Sequence, residues 1–143
     1  MTLDRFIAAQ RDTYEEALEE IRTGAKRSHW MWWVFPQMAG LGHSPTARRY
    51  GIADRAEAEA YLAHPVLGAR LIEASGAMLG NRGRSAETVL GPVDALKLRS
   101  SMTLFDAVPL APPVFGRVLE AFHGGERDPL TLSLLDDAGL KRP

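Results

Sequence analysis

Arg27-Ser28-His29-Trp30-Met31-Trp32-Trp33-Val34-Phe35-Pro36-Gln37 holds every tryptophan of the chain, and how it is read decides the fold. As a strand it would place Trp30, Trp32 and Val34 on one face and Met31, Trp33 and Phe35 on the other. As a helix it stacks His29 on Trp33 and Met31 on Phe35 at i,i+4. Either way it is apolar on both sides, so it belongs inside the protein. Ser28 is a good helix N-cap and Pro36 a good terminator, which favours a short buried helix. Three indoles remove a large apolar area from water and make a core anchor. Lys26, Arg27 and His29 at the border make the same stretch the wall of a pocket.

On the N-terminal side, residues 3–22 carry Leu3, Phe6, Ile7, Gln10, Tyr14, Ala17, Leu18 and Ile21 near one face of a helix. Asp12, Glu15, Glu16, Glu19 and Glu20 take the opposite, solvated face. Thr2 is the expected N-cap and Gly24 the C′ residue. From Ile21 to Ala53 there is then no Asp or Glu, while Arg22, Lys26, Arg27, Arg48, Arg49, His29 and His43 fall in that span. The acidic face of the first helix can cancel some of these charges across space. Cancelling all of them is harder, because that helix also carries Arg5 and Arg11.

On the C-terminal side, residues 38–45 form a glycine-rich loop in which Gly40 and Gly42 let backbone N–H groups approach a ligand. Helical turns follow over 46–51. A helix capped by Asp54 covers 55–63, and His64-Pro65 breaks it. The next helix, 65–79, should bury Val66, Leu67, Leu71, Ile72 and Met78. Ser85 caps a short helix to about Leu90, and Pro92 to Phe105 forms another. Pro109–Pro113 is a rigid turn, Val114–Phe122 is helical up to Gly124-Gly125, and Asp128-Pro129 opens a last helix through Leu135 before a polar tail. There is no internal repeat and no hairpin signal. The expected architecture is all-α: a compact single-domain bundle over 1–143 of about six to eight mostly short helices.

Composition narrows the function. The chain has 143 residues and a net charge of −1, so the molecule has no overall field to hold a duplex or an anionic bilayer. Without cysteine there is no disulfide, thiolate metal site or Cys nucleophile. The first residues do not form a secretory signal, and no apolar run approaches a membrane span. The chain reads as cytoplasmic, with no membrane role.

His29 and Lys97 are the candidate catalytic residues. His29, between Ser28 and Trp30, is suited to acid–base work or to donating to a phosphate; a core histidine bonded to backbone is the alternative. Gln37 offers a donor and an acceptor to a polar ligand edge, although a glutamine bonded to its own loop is the commoner arrangement. On a helix, Asp94, Lys97 and Ser101 share a face. Turned inward, Lys97 would hold an anion with Arg99, Ser100 and Ser101 near it; turned outward, the stripe is a surface ion pair. The candidate ligand-binding residues are therefore Lys26, Arg27, Ser28, Trp30, Trp32, Gln37, Arg99, Ser100 and Ser101. His43 and His64 lack metal-ligand spacing, so no metal is expected, and no P-loop or dinucleotide fingerprint calls for a cofactor.

Several of these strings resemble a bacterial family, domain of unknown function 1810, sometimes labelled calpastatin-like. They are Lys26-Arg27-Ser28-His29-Trp30-Met31-Trp32, Phe35-Pro36-Gln37, Gly40-Leu41-Gly42, Tyr61-Leu62, His64-Pro65-Val66-Leu67-Gly68, Asp94 with Lys97, Ser100-Ser101 with Thr103-Leu104-Phe105, and Val114-Phe115. The resemblance covers nearly the whole chain. Trp33 stands where many relatives carry an aliphatic residue or Phe, a change an apolar position tolerates. The resemblance implies a small, mainly helical domain and supplies no activity. The calpastatin label implies protease inhibition, for which no residue here gives a basis.

The expected function is binding of a small anionic molecule, phosphate-bearing or nucleotide-like, in a Trp/His/Lys/Arg pocket. Whether hydrolysis or group transfer follows is open, as is the oligomeric state. The alternative is a non-catalytic protein-interaction domain whose tryptophans are only core. Nucleic acid is the least favoured partner.

Overall fold

The structure, a computed structural model, describes residues 2–140 and their side chains through Asp136. It is all-helical, as the sequence implies, but with ten helices among the described residues instead of six to eight. They are α1 (Asp4–Arg11), α2 (Tyr14–Thr23), α3 (Met31–Val34), α4 (Pro45–Arg49), α5 (Arg55–Ala63), α6 (Leu67–Leu79), α7 (Ala86–Leu90), α8 (Pro92–Asp106), α9 (Val114–His123) and α10 (Pro129–Leu140). No helix among the described residues is long and apolar enough to cross a membrane.

The extra elements have local causes. The single helix expected over 3–22 breaks at Asp12-Thr13. There the Thr13 hydroxyl donates to the Ala9 carbonyl at 2.6 Å and accepts from the Trp33 indole at 2.9 Å, so the break docks α3. Gln10, on the buried face of α1, donates to the Trp33 carbonyl and the Tyr61 hydroxyl and accepts from Arg70. α10 runs beyond Leu135 to Leu140, and the end of the expected polar tail lies outside the described residues.

The caps expected at Asp54 and Ser85 are present, and Ser44 supplies a further one. Ser44, Asp54 and Ser85 each accept from the backbone N–H three residues on, at the starts of α4, α5 and α7. Asp128 does the same for α10 through Thr131. Ser28 does not cap α3: its hydroxyl is committed elsewhere and Trp30 takes the cap position. Leu3, not Thr2, is the cap residue of α1, while the Thr2 hydroxyl accepts from the Asp4 N–H. Gly24 ends α2 in the left-handed region at φ 79°.

α8 is the central helix, packed by α5, α7, α9 and α10, while α6 lies against α2, α5 and α9. Aromatic rings continue the core from Phe6 through Tyr61, Phe105 and Phe115, with centroids 5.1, 5.4 and 6.0 Å apart in turn. On α6 the buried stripe is Leu67, Leu71, Ala74 and Met78. Val66 and Ile72, expected inside, are 40% and 39% exposed because they fall off that stripe. The long segment between α3 and α5 is pinned by one isolated parallel bridge, Met38 to Ile52, in which the Ile52 N–H donates to the Gln37 carbonyl and the Ala39 N–H to the Ile52 carbonyl.

Candidate functional site

The site begins at Glu20. The sequence places it on the solvated face of the first helix, yet it is buried, 1% exposed. The chain turns at Gly24 and runs over this carboxylate, which accepts from the backbone N–H of Arg27 (2.7 Å) and Ser28 (3.0 Å), the Ser28 hydroxyl (2.6 Å) and the Trp30 indole (3.0 Å). Burial pushes the carboxyl pKa up. The hydrogen bonds from Ser28, Arg27 and Trp30 outweigh that and hold it at about 2. The turn is clamped on its other side by the Lys26 N–H, which donates to the Val89 carbonyl of α7 at 2.9 Å.

This clamp aims the Lys26 side chain at the first turn of α8. Its ammonium donates to the Ser28 carbonyl at 2.7 Å, pairs with one oxygen of Asp94 at 2.9 Å and lies 5.0 Å from the centre of the Trp30 ring. The other Asp94 oxygen pairs with Lys97 at 3.1 Å, and the Lys97 ammonium stands 4.1 Å over Trp32. The three charged side chains are only 11–20% exposed. Of the two arrangements the sequence leaves open, the stripe on α8 therefore takes the inward one, and Asp94 bridges two lysines.

Lys26, Asp94 and Lys97 line a hollow of about 300 Å³ with His29, Trp32 and Trp33. Imidazole and ammonium, 68 residues apart along the chain (97 − 29), thus share one concavity. His29 is exposed at its edge, and no described residue hydrogen-bonds its side chain. Two ammoniums against one carboxylate leave an excess of positive charge here, offset at longer range by Glu20 behind Trp30. Lys97 has three N–H donors, of which the described residues engage one in an ion pair.

A second hollow, of about 270 Å³, adjoins the first, with Trp32 and Lys97 belonging to both. It is lined further by Gln37, Leu41, Ser100 and Leu130. Gln37 is 7% exposed, and among the described residues its side-chain nitrogen has no hydrogen-bond partner. Only its backbone is engaged by the loop, so the commoner arrangement of a glutamine bonded through its amide is not the one found. Gly42 serves packing: a Cβ there would sit 2.9 Å from that of Ala47 and 3.5 Å from the Trp32 ring.

Other expected residues lie apart. Trp30 reaches the first hollow but is 1% exposed, so most of its indole is core. Arg27 is exposed on the turn and Ser28 is spent on Glu20; neither lines the hollows. Arg99 donates to the carbonyls of Glu126 and Arg127, tying α8 to the segment before α10. Ser101 is fully buried, because α8 runs under its neighbours one turn beyond Lys97, and among the described residues its hydroxyl has no partner. Although it shares a helical face with Lys97, Ser101 makes no hydrogen bond to it. Of the acid-free segment's charges, Arg22 pairs with Glu73 and Lys26 with Asp94, neither on the first helix as expected. Among the described residues, no group of three or more His, Asp or Glu is placed to hold a metal.

Sequence reasoning missed Glu20, though one signal was there: it stands three residues after Ala17 and so at the border of the buried face of its helix.

A family model described as "Protein of unknown function (DUF1810)" matches residues 1–135. The crystal structure of the conserved hypothetical protein Rv1873 from Mycobacterium tuberculosis is similar, with 50% identity and a TM-score of 0.91 over 94% of this chain and 96% of that one. No curated protein matches the chain. The indole-rich turn and the α8 stripe that build the hollow lie within the matched residues, and on the family match the chain belongs to the DUF1810 family.

Proposed function

We propose that the hollow between the Trp30–Trp33 turn and α8 binds a small anionic, phosphate-bearing molecule. The observation that carries this reading is the placement of Lys97: a mostly buried ammonium, held by Asp94 over Trp32, with spare N–H donors beside His29 and Lys26. Charge-assisted hydrogen bonds from such donors to phosphate oxygens are strong and directional. His29, without an orienting partner among the described residues, acts as a further donor to the ligand. If a reaction follows, it is hydrolysis or group transfer, with His29 as acid–base and Lys97 stabilising the developing charge.

The test is titration of the purified protein with inorganic phosphate, pyrophosphate, sugar phosphates and nucleotides, followed by tryptophan fluorescence and melting temperature. Trp32 and Trp33 line the hollow, so occupancy is expected to change the emission. A flat response across the whole panel defeats the reading. A second reading, a protein-interaction domain, is favoured by Val93, Leu96 and Leu130, which are 65%, 62% and 52% exposed beside the second hollow. It predicts that flat response, with His29→Ala changing nothing but stability.

A further inference from the structure

We infer that the second hollow is a nucleobase subsite, and that the two hollows together take a nucleotide, with its base against Gln37 and its phosphate at Lys97, Lys26 and His29. This rests on the anion-binding reading of the first hollow and names the ligand's other end.

Three observations lead there. First, Gln37 is more than nine-tenths buried and lines the hollow, yet among the described residues its amide nitrogen has no partner. Buried amides are nearly always satisfied; this nitrogen is itself shut off from the hollow, so a turn of the side chain toward it is what would let an occupant make the missing bond. The Gln37 carbonyl is fixed by the Ile52 N–H, so the side chain projects from an anchored backbone. An amide presents a donor and an acceptor side by side, which is the pattern that matches a nucleobase edge.

Second, the walls around that amide suit a flat ring. Trp32 and Leu41 stand at the hollow with Val93, Leu96 and Leu130, and the last three are more than half exposed. An aromatic ring entering there covers apolar surface that is otherwise wet. Ser100 and Asp128 add polar atoms on the α8 side, where the Ser100 hydroxyl already donates to Asp128 at 3.1 Å.

Third, the hollows share Trp32 and Lys97 and are therefore neighbours. A ligand spanning both needs an anion at one end and a planar, hydrogen-bonding ring at the other. A nucleoside monophosphate has that layout. Inorganic phosphate would use only the first hollow, and an apolar peptide would leave the Gln37 amide unanswered.

The experiment is calorimetric titration of the full chain with the 5′-monophosphates of adenosine, guanosine, cytidine and uridine, with ribose 5-phosphate, and with inorganic phosphate. Each is repeated on Gln37→Met, which keeps the side-chain length and removes the amide. At least one nucleotide is expected to bind about tenfold or more tighter than ribose 5-phosphate. Gln37→Met is expected to erase that margin, leave ribose 5-phosphate binding unchanged and not lower the melting temperature, since the amide nitrogen it removes has no partner among the described residues. Nucleotides no tighter than ribose 5-phosphate overturn the base subsite while the anion site stands. A margin that survives Gln37→Met, or a variant that melts earlier, shows the amide to be structural and also overturns it. Silence from every phosphate, the inorganic ion included, removes the underlying reading and this inference with it.

Discussion

Glu20 shows how one carboxylate shapes the neighbourhood of the site. Four donors converge on it, so replacing it leaves several buried polar groups without an acceptor, the costly side of hydrogen-bond energetics. Glu20→Gln keeps the shape but turns an N–H₂ toward donors, and is expected to destabilise by about 2–4 kcal/mol in guanidinium unfolding. Because its folded pKa lies below the ordinary carboxyl value, the stabilisation is fully present above about pH 4.5 and is lost as pH falls toward about 2. Unfolding measured between those limits should therefore show a steeper acid loss in the native chain than in Glu20→Gln; parallel curves would refute this account. Among single residues, the sequence showed Lys97 and His29 as candidates for one site because charge and aromatic content do not depend on the fold. It hid Glu20, because a glutamate in an acidic run looks solvated until the chain beyond it folds back over the helix.

At the scale of elements, the close approaches decide what the pattern can specify. At Gly68 an added Cβ would collide with the Leu62 carbonyl, where α5 hands over to α6. Backbone cannot retreat as a side chain can, so Gly68→Ala is expected to destabilise by about 1–3 kcal/mol, measurable in urea. Gly76→Ala on the same helix meets nothing within 4 Å and, as a helix-interior exchange, should stabilise by several tenths to about 1 kcal/mol. If both behave alike, the contact at Gly68 is not the cause. Helix positions were legible wherever a cap and a period coincided, as at Asp54, Ser85 and Pro92. They were not legible at Asp12-Thr13, where an indole from elsewhere in the chain interrupts a continuous apolar stripe, nor at Ser28, whose hydroxyl donates to Glu20 instead of accepting from an N–H of α3.

Over the whole molecule, the candidate site is a seam. Its first wall comes from the turn after α2 and from α3, its second from α8, and the walls are joined by Asp94 between Lys26 and Lys97. The sequence could propose that these two blocks meet and could pair Asp94 with Lys97, but the distance along the chain hid the second pairing, with Lys26, that joins them. A ligand bridging the seam binds only when both walls are in place, so it stabilises the folded chain by mass action, by about 2.7 kcal/mol at a hundred times its dissociation constant. For a chain of this size that raises the melting temperature by about 5–10 °C. The charges are partly exposed, so raising the salt concentration should shrink the rise by weakening binding. Lys97→Met keeps an aliphatic stem over Trp32 and removes the ammonium that faces both hollows. Its own melting temperature should stay within a few degrees of the native value, since a partly exposed ion pair and cation–π contact contribute about 1–2 kcal/mol together. The ligand-induced rise should disappear. Differential scanning calorimetry of the two proteins, with and without saturating phosphate ligand at low and high salt, separates the possibilities. An undiminished rise in Lys97→Met would place the ligand somewhere other than this seam, whatever the fluorescence reports.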